Sequence, residues 1–174
     1  MIRRPRLPLA VLAFVACFVL LAVPVADAIS SGTIVFRAKR GNVGLIYTMN
    51  ADGGNPKQLG PGVQPTISRN GKTIVYAKAS EEGRFDLWAR NADGRDLRQL
   101  THQLSSTYPS ISANGQKVVF VGEQPDGTGS DLYTIDIDGT HQRQVTRGGG
   151  DYFSPSFSPD GKRILFSAGS TESG

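Results

Sequence analysis

From Thr33 onward the apolar residues fall in short clusters, with no sustained 3.6-residue period. The triplets Ile34-Val35-Phe36, Ile74-Val75-Tyr76, Val118-Val119-Phe120 and Ile164-Leu165-Phe166 return at intervals of 40, 44 and 46 residues. Between them lie NADG at 50–53, NADG at 91–94 and DIDG at 136–139, followed in turn by Gln58-Leu59, Gln99-Leu100 and Gln144-Val145. A third phrase comes next: PTISRNGK from Pro65, PSISANGQ from Pro109 and PSFSPDGK from Pro155. Landmarks kept in one order through successive periods mark an internal repeat, and that decides the fold before any local feature does.

Each period reads as four short antiparallel strands, A to D. The Pro-x-apolar-Ser stretch is strand A, and Asn-Gly or Asp-Gly reverses the chain because such pairs tolerate positive φ. The triplet is strand B. Strand C is seen as LIYTMN, DLWARN and DLYTID, and after a second tight turn strand D closes on Gln-Leu or Gln-Val. A strand with one face in water alternates apolar and polar residues, whereas these triplets are apolar at successive positions and so need cover on both sides. Four-stranded sheets stacked face to face meet that need, which is the radial packing of a β-propeller. Tyr47, Trp88 and Tyr133 share one column of strand C and are expected between sheets. Almost no helix is expected after residue 28.

The count is B to D, A to D, A to D, then A and B, or thirteen strands. That is an all-β chain of about three four-stranded antiparallel blades plus a spare strand, with repeat units near 33–72, 73–116, 117–162 and 163–174. A closed propeller needs about four to eight blades. Two copies joining into one ring, or a longer gene product of which this is a fragment, would each complete it. An open arc with unsatisfied end sheets is disfavoured, because it would present apolar faces and unpaired edges.

The first 28 residues follow another rule. Arg3, Arg4 and Arg6 precede an apolar run from Leu7 to Val25, and Ala26-Asp27-Ala28 offers small residues where a signal peptidase reads. The expectation is a helical signal peptide, 1–28, cleaved after Ala28, and a periplasmic or secreted chain from 29 to 174. Pro8 and Pro24 argue against the alternative, an uncleaved membrane anchor. Cys17 is the one cysteine, and a lipoprotein reading of it is weakened by the apolar residues that follow. The mature chain then has no thiol for disulfides or zinc. The whole chain carries 19 Lys and Arg against 15 Asp and Glu, but the leader holds three of the former and one of the latter, so the remainder has a net charge of only +2. With its cations scattered, it gives no footprint for nucleic acid, and membrane contact is expected only through the leader.

SFSPDGKRILF at 156–166, DLYTIDIDG at 131–139 and RQLT at 98–101 resemble the β-propeller repeat of the TolB family of periplasmic proteins. Similar repeats occur in the propellers of prolyl-oligopeptidase-type peptidases and of oligogalacturonate lyases. The resemblance covers residues 33–168. It implies a place in a cell-envelope protein complex, and it names no partner, because propellers host unrelated activities.

Residues for catalysis are hard to find. There is no Gly-x-Ser-x-Gly elbow, and His102 and His141 occupy non-equivalent repeat positions. DIDG lacks the further acids and closing glutamate of a calcium loop, and NADG at equivalent positions marks it as a turn. Gly148-Gly149-Gly150 could wrap a phosphate only before a helix N-terminus, so it reads as a flexible tip. No enzyme, cofactor or metal is expected. The A–B and C–D turns share one face of the sheets, here the turn face. The expected longer connections, 38–44, 79–85, 121–130, 60–64, 101–108 and 146–154, share the other, the loop face, where binding residues gather. On it Tyr108, Tyr152 and Phe153 offer rigid contact area, while Arg84, His102, Arg147 and Asp151 offer directional polar contacts. The reading is a non-enzymatic module that binds a protein of the cell envelope. An accessory propeller of an exported hydrolase, peptidase or lyase, or a carbohydrate-binding module, is the alternative.

Overall fold

A computed structural model describes residues 32–169 apart from 125; the expected signal helix, 1–28, lies outside the described residues. The described chain holds strands and turns with no helix. Sheet 1 comprises β1 (Thr33–Arg40), β2 (Val43–Asn50) and β3 (Lys57–Pro61). Sheet 2 comprises β4 (Val63–Ile67), β5 (Thr73–Ala79), β6 (Phe85–Asn91) and β7 (Arg98–Gln99). Sheet 3 comprises β8 (Ser106–Ile111), β9 (Lys117–Glu123), β10 (Ser130–Asp136) and β11 (Arg143–Gln144), and sheet 4 comprises β12 (Tyr152–Phe157) and β13 (Ile164–Ala168). These are thirteen strands in sheets of 3, 4, 4 and 2, antiparallel throughout, in the order the repeat demands. The A strands β4, β8 and β12 lie side by side, so the sheets fan out from a common inner edge.

The turn that opens each strand B is built identically in successive repeats. The Ser68 hydroxyl donates to Asn70 Oδ1 at 2.7 Å and accepts the Thr73 N–H at 3.0 Å. Ser112 does the same with Asn114 and Lys117, and Ser158 with Asp160 and Arg163. Gly71, Gly115 and Gly161 take φ of 70°, 75° and 69°, a region glycine enters without a Cβ penalty. The first two of these turns are tied to the C–D turn beside them, by the Ala92 N–H to Lys72 O bond at 2.9 Å and the Ile137 N–H to Gln116 O bond at 2.8 Å. The turn face is therefore uniform and occupied by its own hydrogen bonds.

Packing between sheets explains the apolar triplets. In each, the outer two residues face the preceding sheet and the middle one faces the next. Ile74 and Tyr76 pack with Ile46, Val35 and Trp88 between sheets 1 and 2, while Val75 packs with Leu87, Leu100, Val118, Phe120, Tyr133 and Ile135 between sheets 2 and 3. Val118, Val119 and Phe120 are fully buried. Among the described residues the end sheets have no neighbour on their outer sides, so Ile34 is 38% exposed and Leu165 is 76% exposed. The C-strand column behaves as expected for packing: Tyr133 stacks on Phe120 at 5.7 Å and Trp88 lies in the cluster between sheets 1 and 2. Tyr47 stacks on Phe36 at 5.5 Å within sheet 1.

Several boundaries differ from the sequence reading. Strand A begins before its proline, at Val63, Ser106 and Tyr152. The B–C connections shrink to 41–42, 80–84 and 124–129, because the ladder runs on to pairs such as Arg40↔Val43 and Ser130↔Glu123. Gly41, at φ 61°, lets sheet 1 turn in two residues. Neither is the triglycine a free tip: Gly150 forms a β-bridge with Ser130.

Candidate functional site

The early start of strand A rests on a repeated bulge. Register shifts fall between Val63 and Thr66, Thr107 and Ser110, and Phe153 and Ser156. At each, the residue before the proline is left-handed: Gln64 at φ 51°, Tyr108 at 50° and Ser154 at 48°. A bulge takes the proline's missing N–H out of the ladder. Left-handed non-glycine residues are uncommon and store strain. Here they recur in three neighbouring sheets and, with Pro65, Pro109 and Pro155, line one hollow of about 230 Å³ at the inner edge. The Tyr108 N–H donates to Gln64 Oε1 at 2.9 Å, linking sheets 3 and 2. Of these bulge residues, the sequence reading singled out only Tyr108. The signal for the others was a residue at a fixed place before each repeat's proline, in QPTIS, YPSIS and SPSFS.

Four of the seven candidate residues meet beside this hollow. Tyr108, Asp151, Tyr152 and Phe153 line a cleft of about 380 Å³ between sheets 3 and 4, shared with Glu123 and Gln124. Tyr108 and Phe153 meet edge to face at 6.5 Å, 39% and 45% exposed respectively. Tyr152 is half-buried and meets Phe166 edge to face at 5.6 Å. The Tyr152 N–H donates to Ser130 Oγ at 3.3 Å, and the Asp151 carbonyl accepts the Gly169 N–H at 2.8 Å. These aromatics therefore stand on strand A and its lead-in, not on free loops.

The other three candidates lie apart. Arg84 pairs with Glu82 at 2.5 Å, donates to the His102 carbonyl at 2.9 Å and reaches to 3.6 Å from buried Asp86, so it fastens two connections of sheet 2. His102 enters that cluster through its backbone. Arg147 is exposed in the connection before β12. His141 belongs to the turn face, where its Nδ1 lies 3.0 Å from Asp136 Oδ2.

The perturbed acids also belong to turns. The Lys117 ammonium hydrogen-bonds Asp136 and, helped by His141, holds its carboxyl below the usual range. The Thr140 hydroxyl and N–H do so for Asp138, and the Ser158 hydroxyl and Lys162 N–H for Asp160. Burial pushes the Tyr76 hydroxyl up, with Arg90 pulling it partly back. Among the described residues, no group of three or more His, Cys, Asp or Glu could hold a metal ion. The loop-face cleft offers aromatic surface with carboxylates at its edge, an arrangement suited to contact.

Four-stranded antiparallel sheets packed face to face, with their first strands at a common inner edge, define a segment of a β-propeller. The sequence profile of the TolB beta propeller domain matches residues 29–139, and the chain belongs to that family. A protein TolB homolog of Chlorobium luteolum is 31% identical over 137 residues, covering 76% of this chain and 30% of that protein. The uncharacterized peptidase YuxL of Bacillus subtilis is 27% identical over 151 residues, covering 80% of this chain and 20% of that protein. Among solved structures, a putative TolB from Agrobacterium tumefaciens superposes with a TM-score of 0.66 at 24% identity, over 80% of this chain and 55% of the other. The chain thus spans only part of each relative's length.

Proposed function

We propose that this chain is an exported, non-enzymatic propeller module that binds a protein of the cell envelope through the loop face. The observation that carries this reading is the cleft between sheets 3 and 4, where Tyr108 and Phe153 keep large apolar rings in water at a strained part of the backbone. Rigid aromatics beside a concave surface are the usual anchors of a protein interface. The apolar leader and the TolB relatives support an envelope location. The peptidase relative supports an accessory propeller as the rival, and recovery of a hydrolase or peptidase as the captured partner would favour it.

The test is capture from an envelope extract of a bacterium that encodes this chain, with a Tyr108→Ala, Phe153→Ala double variant alongside. Both side chains are partly in water, so the variant keeps its core, and it should recover its partner about tenfold or more less well, as loss of interface anchors does. Equal recovery would remove the site.

We further propose that the chain associates with itself. Among the described residues, strand β1 is the free edge of sheet 1 where a strand A belongs, and β12 is a strand A whose sheet has one other strand. The exposed Ile34 and Leu165 lie on the outward sides of those two sheets. A second copy that stacks the outer side of its sheet 4 on the outer side of sheet 1 would cover both. Light scattering should give twice the chain's mass, and a stable, well-folded monomer would reject the association.

A further inference from the structure

The two residues that follow each apolar triplet break the repeat at one place. The first faces the next sheet and the second faces the preceding one, so they meet across successive interfaces near the loop face. Between sheets 2 and 3 the pair is Ala77 and Gly122, and between sheets 3 and 4 it is Val121 and Ala168. Leu104 packs at the former interface, and a Cβ on Gly122 would lie 2.8 Å from the Tyr133 ring, so apolar groups close that groove. Between sheets 1 and 2 the pair is Arg37 and Lys78.

There the groove stays open, at about 420 Å³. Arg37 and Lys78 stand over a lining that includes Asn42, Val43, Val63 and Phe85 and has no acid. The Lys78 ammonium sits 4.8 Å from the centre of the Trp88 ring, which steadies it from one side. Neither cation forms an ion pair among the described residues. Val43 is 52% exposed, so apolar surface is left uncovered beside the charges. Two cations that line one partly desolvated groove make it a favourable place for an anion.

We propose that this groove binds an acidic, apolar peptide segment of a protein partner. A carboxylate sits between Arg37 and Lys78, where the guanidinium can hold it through two N–H donors. Its aliphatic neighbour lies on Val43, Val63 and Phe85, which gives a peptide an advantage over a small inorganic anion. The proposal rests on the reading that the loop face meets a protein, and it names a second, chemically distinct cleft on that face.

The experiment measures binding of a fluorescein-labelled Leu-Glu-Leu-Glu-Leu peptide to the full chain by anisotropy, with a Leu-Gln-Leu-Gln-Leu peptide as control. The acidic peptide should bind at least tenfold tighter than the control and weaken several-fold between low and physiological salt, as screened charge pairs do. Arg37→Gln with Lys78→Gln should abolish the preference. Val43→Glu, which carries a competing carboxylate into the groove, should do the same by a different route. Arg69→Gln, an exposed change on the turn face, should alter nothing. Equal binding of the two peptides, an unchanged preference in the double variant, or displacement by inorganic phosphate as effective as by unlabelled peptide would overturn the assignment. Because the probe is a defined peptide, this result is independent of whether capture through Tyr108 and Phe153 succeeds.

Discussion

Phe120→Ala is expected to destabilise the chain by about 3–5 kcal/mol, the range for removing a fully buried aromatic ring. Its repeat equivalent, Phe166→Ala, should cost about 1 kcal/mol, since an exposed ring gives up less burial. Phe120 lies between sheets 2 and 3, fully buried against Val75, Leu87 and Tyr133. Phe166 holds the same place in the repeat but is 41% exposed, because sheet 4 has only β12 and β13 to cover it. Urea unfolding of the two variants and the parent measures the difference directly. Equal losses would mean that sheet 4 is as well covered as sheet 3, which would undo the account of the ends.

The second large effect is expected at Asp131, which is 1% exposed at the start of β10. Its Oδ2 accepts from Gln124 Nε2 at 2.7 Å and Gln144 Nε2 at 2.9 Å, and its Oδ1 accepts from the Thr146 hydroxyl at 2.9 Å. Thr146 in turn accepts the Leu132 N–H at 2.9 Å. One carboxylate thus ties the B–C connection, β11 and the start of the next connection to strand C. Alanine would leave these donors without an acceptor, at a cost of about 3 kcal/mol. Asparagine keeps one acceptor oxygen and should lose about half as much. The equivalent Asp86→Ala should cost less, because Asp86 Oδ1 makes no hydrogen bond and faces Arg84 Nε at 3.6 Å. The same unfolding series checks all three. An Asp131→Ala loss under about 1 kcal/mol would show that these bonds are replaced by water at little cost. Because Gln124 also lines the aromatic cleft, the variant should weaken capture of the partner too.

Much of the architecture was legible because the repeat states it several times. Period, strand number and the distinction between covered and exposed sheet sides follow from the triplets, the Asn-Gly and Asp-Gly turns and the missing helical period. The candidate site was legible only in part. Tyr108, Asp151, Tyr152 and Phe153 do share a cleft, but they arrive there on strand A. The bulge that carries Tyr108 into place depends on the left-handed backbone at Gln64, Tyr108 and Ser154, which no propensity scale assigns to glutamine or tyrosine. Arg84 looked like a free polar contact because sequence spacing does not reveal that His102 and Asp86 stand within its reach.

What the sequence determined by itself is local and periodic: which residues turn, which pair, and which strands need cover on both faces. Backbone sterics and the two-residue alternation of a strand act over a few neighbours, and each repeat is read separately. The tertiary structure decided what depends on having a sheet next door. It buried Val119 and left its equivalent Leu165 in water, closed one groove with Leu104, and brought Arg37 and Lys78 to the lining of another. Equivalent letters acquire different roles because burial and charge act between sheets, over distances that the chain spans only once it has folded.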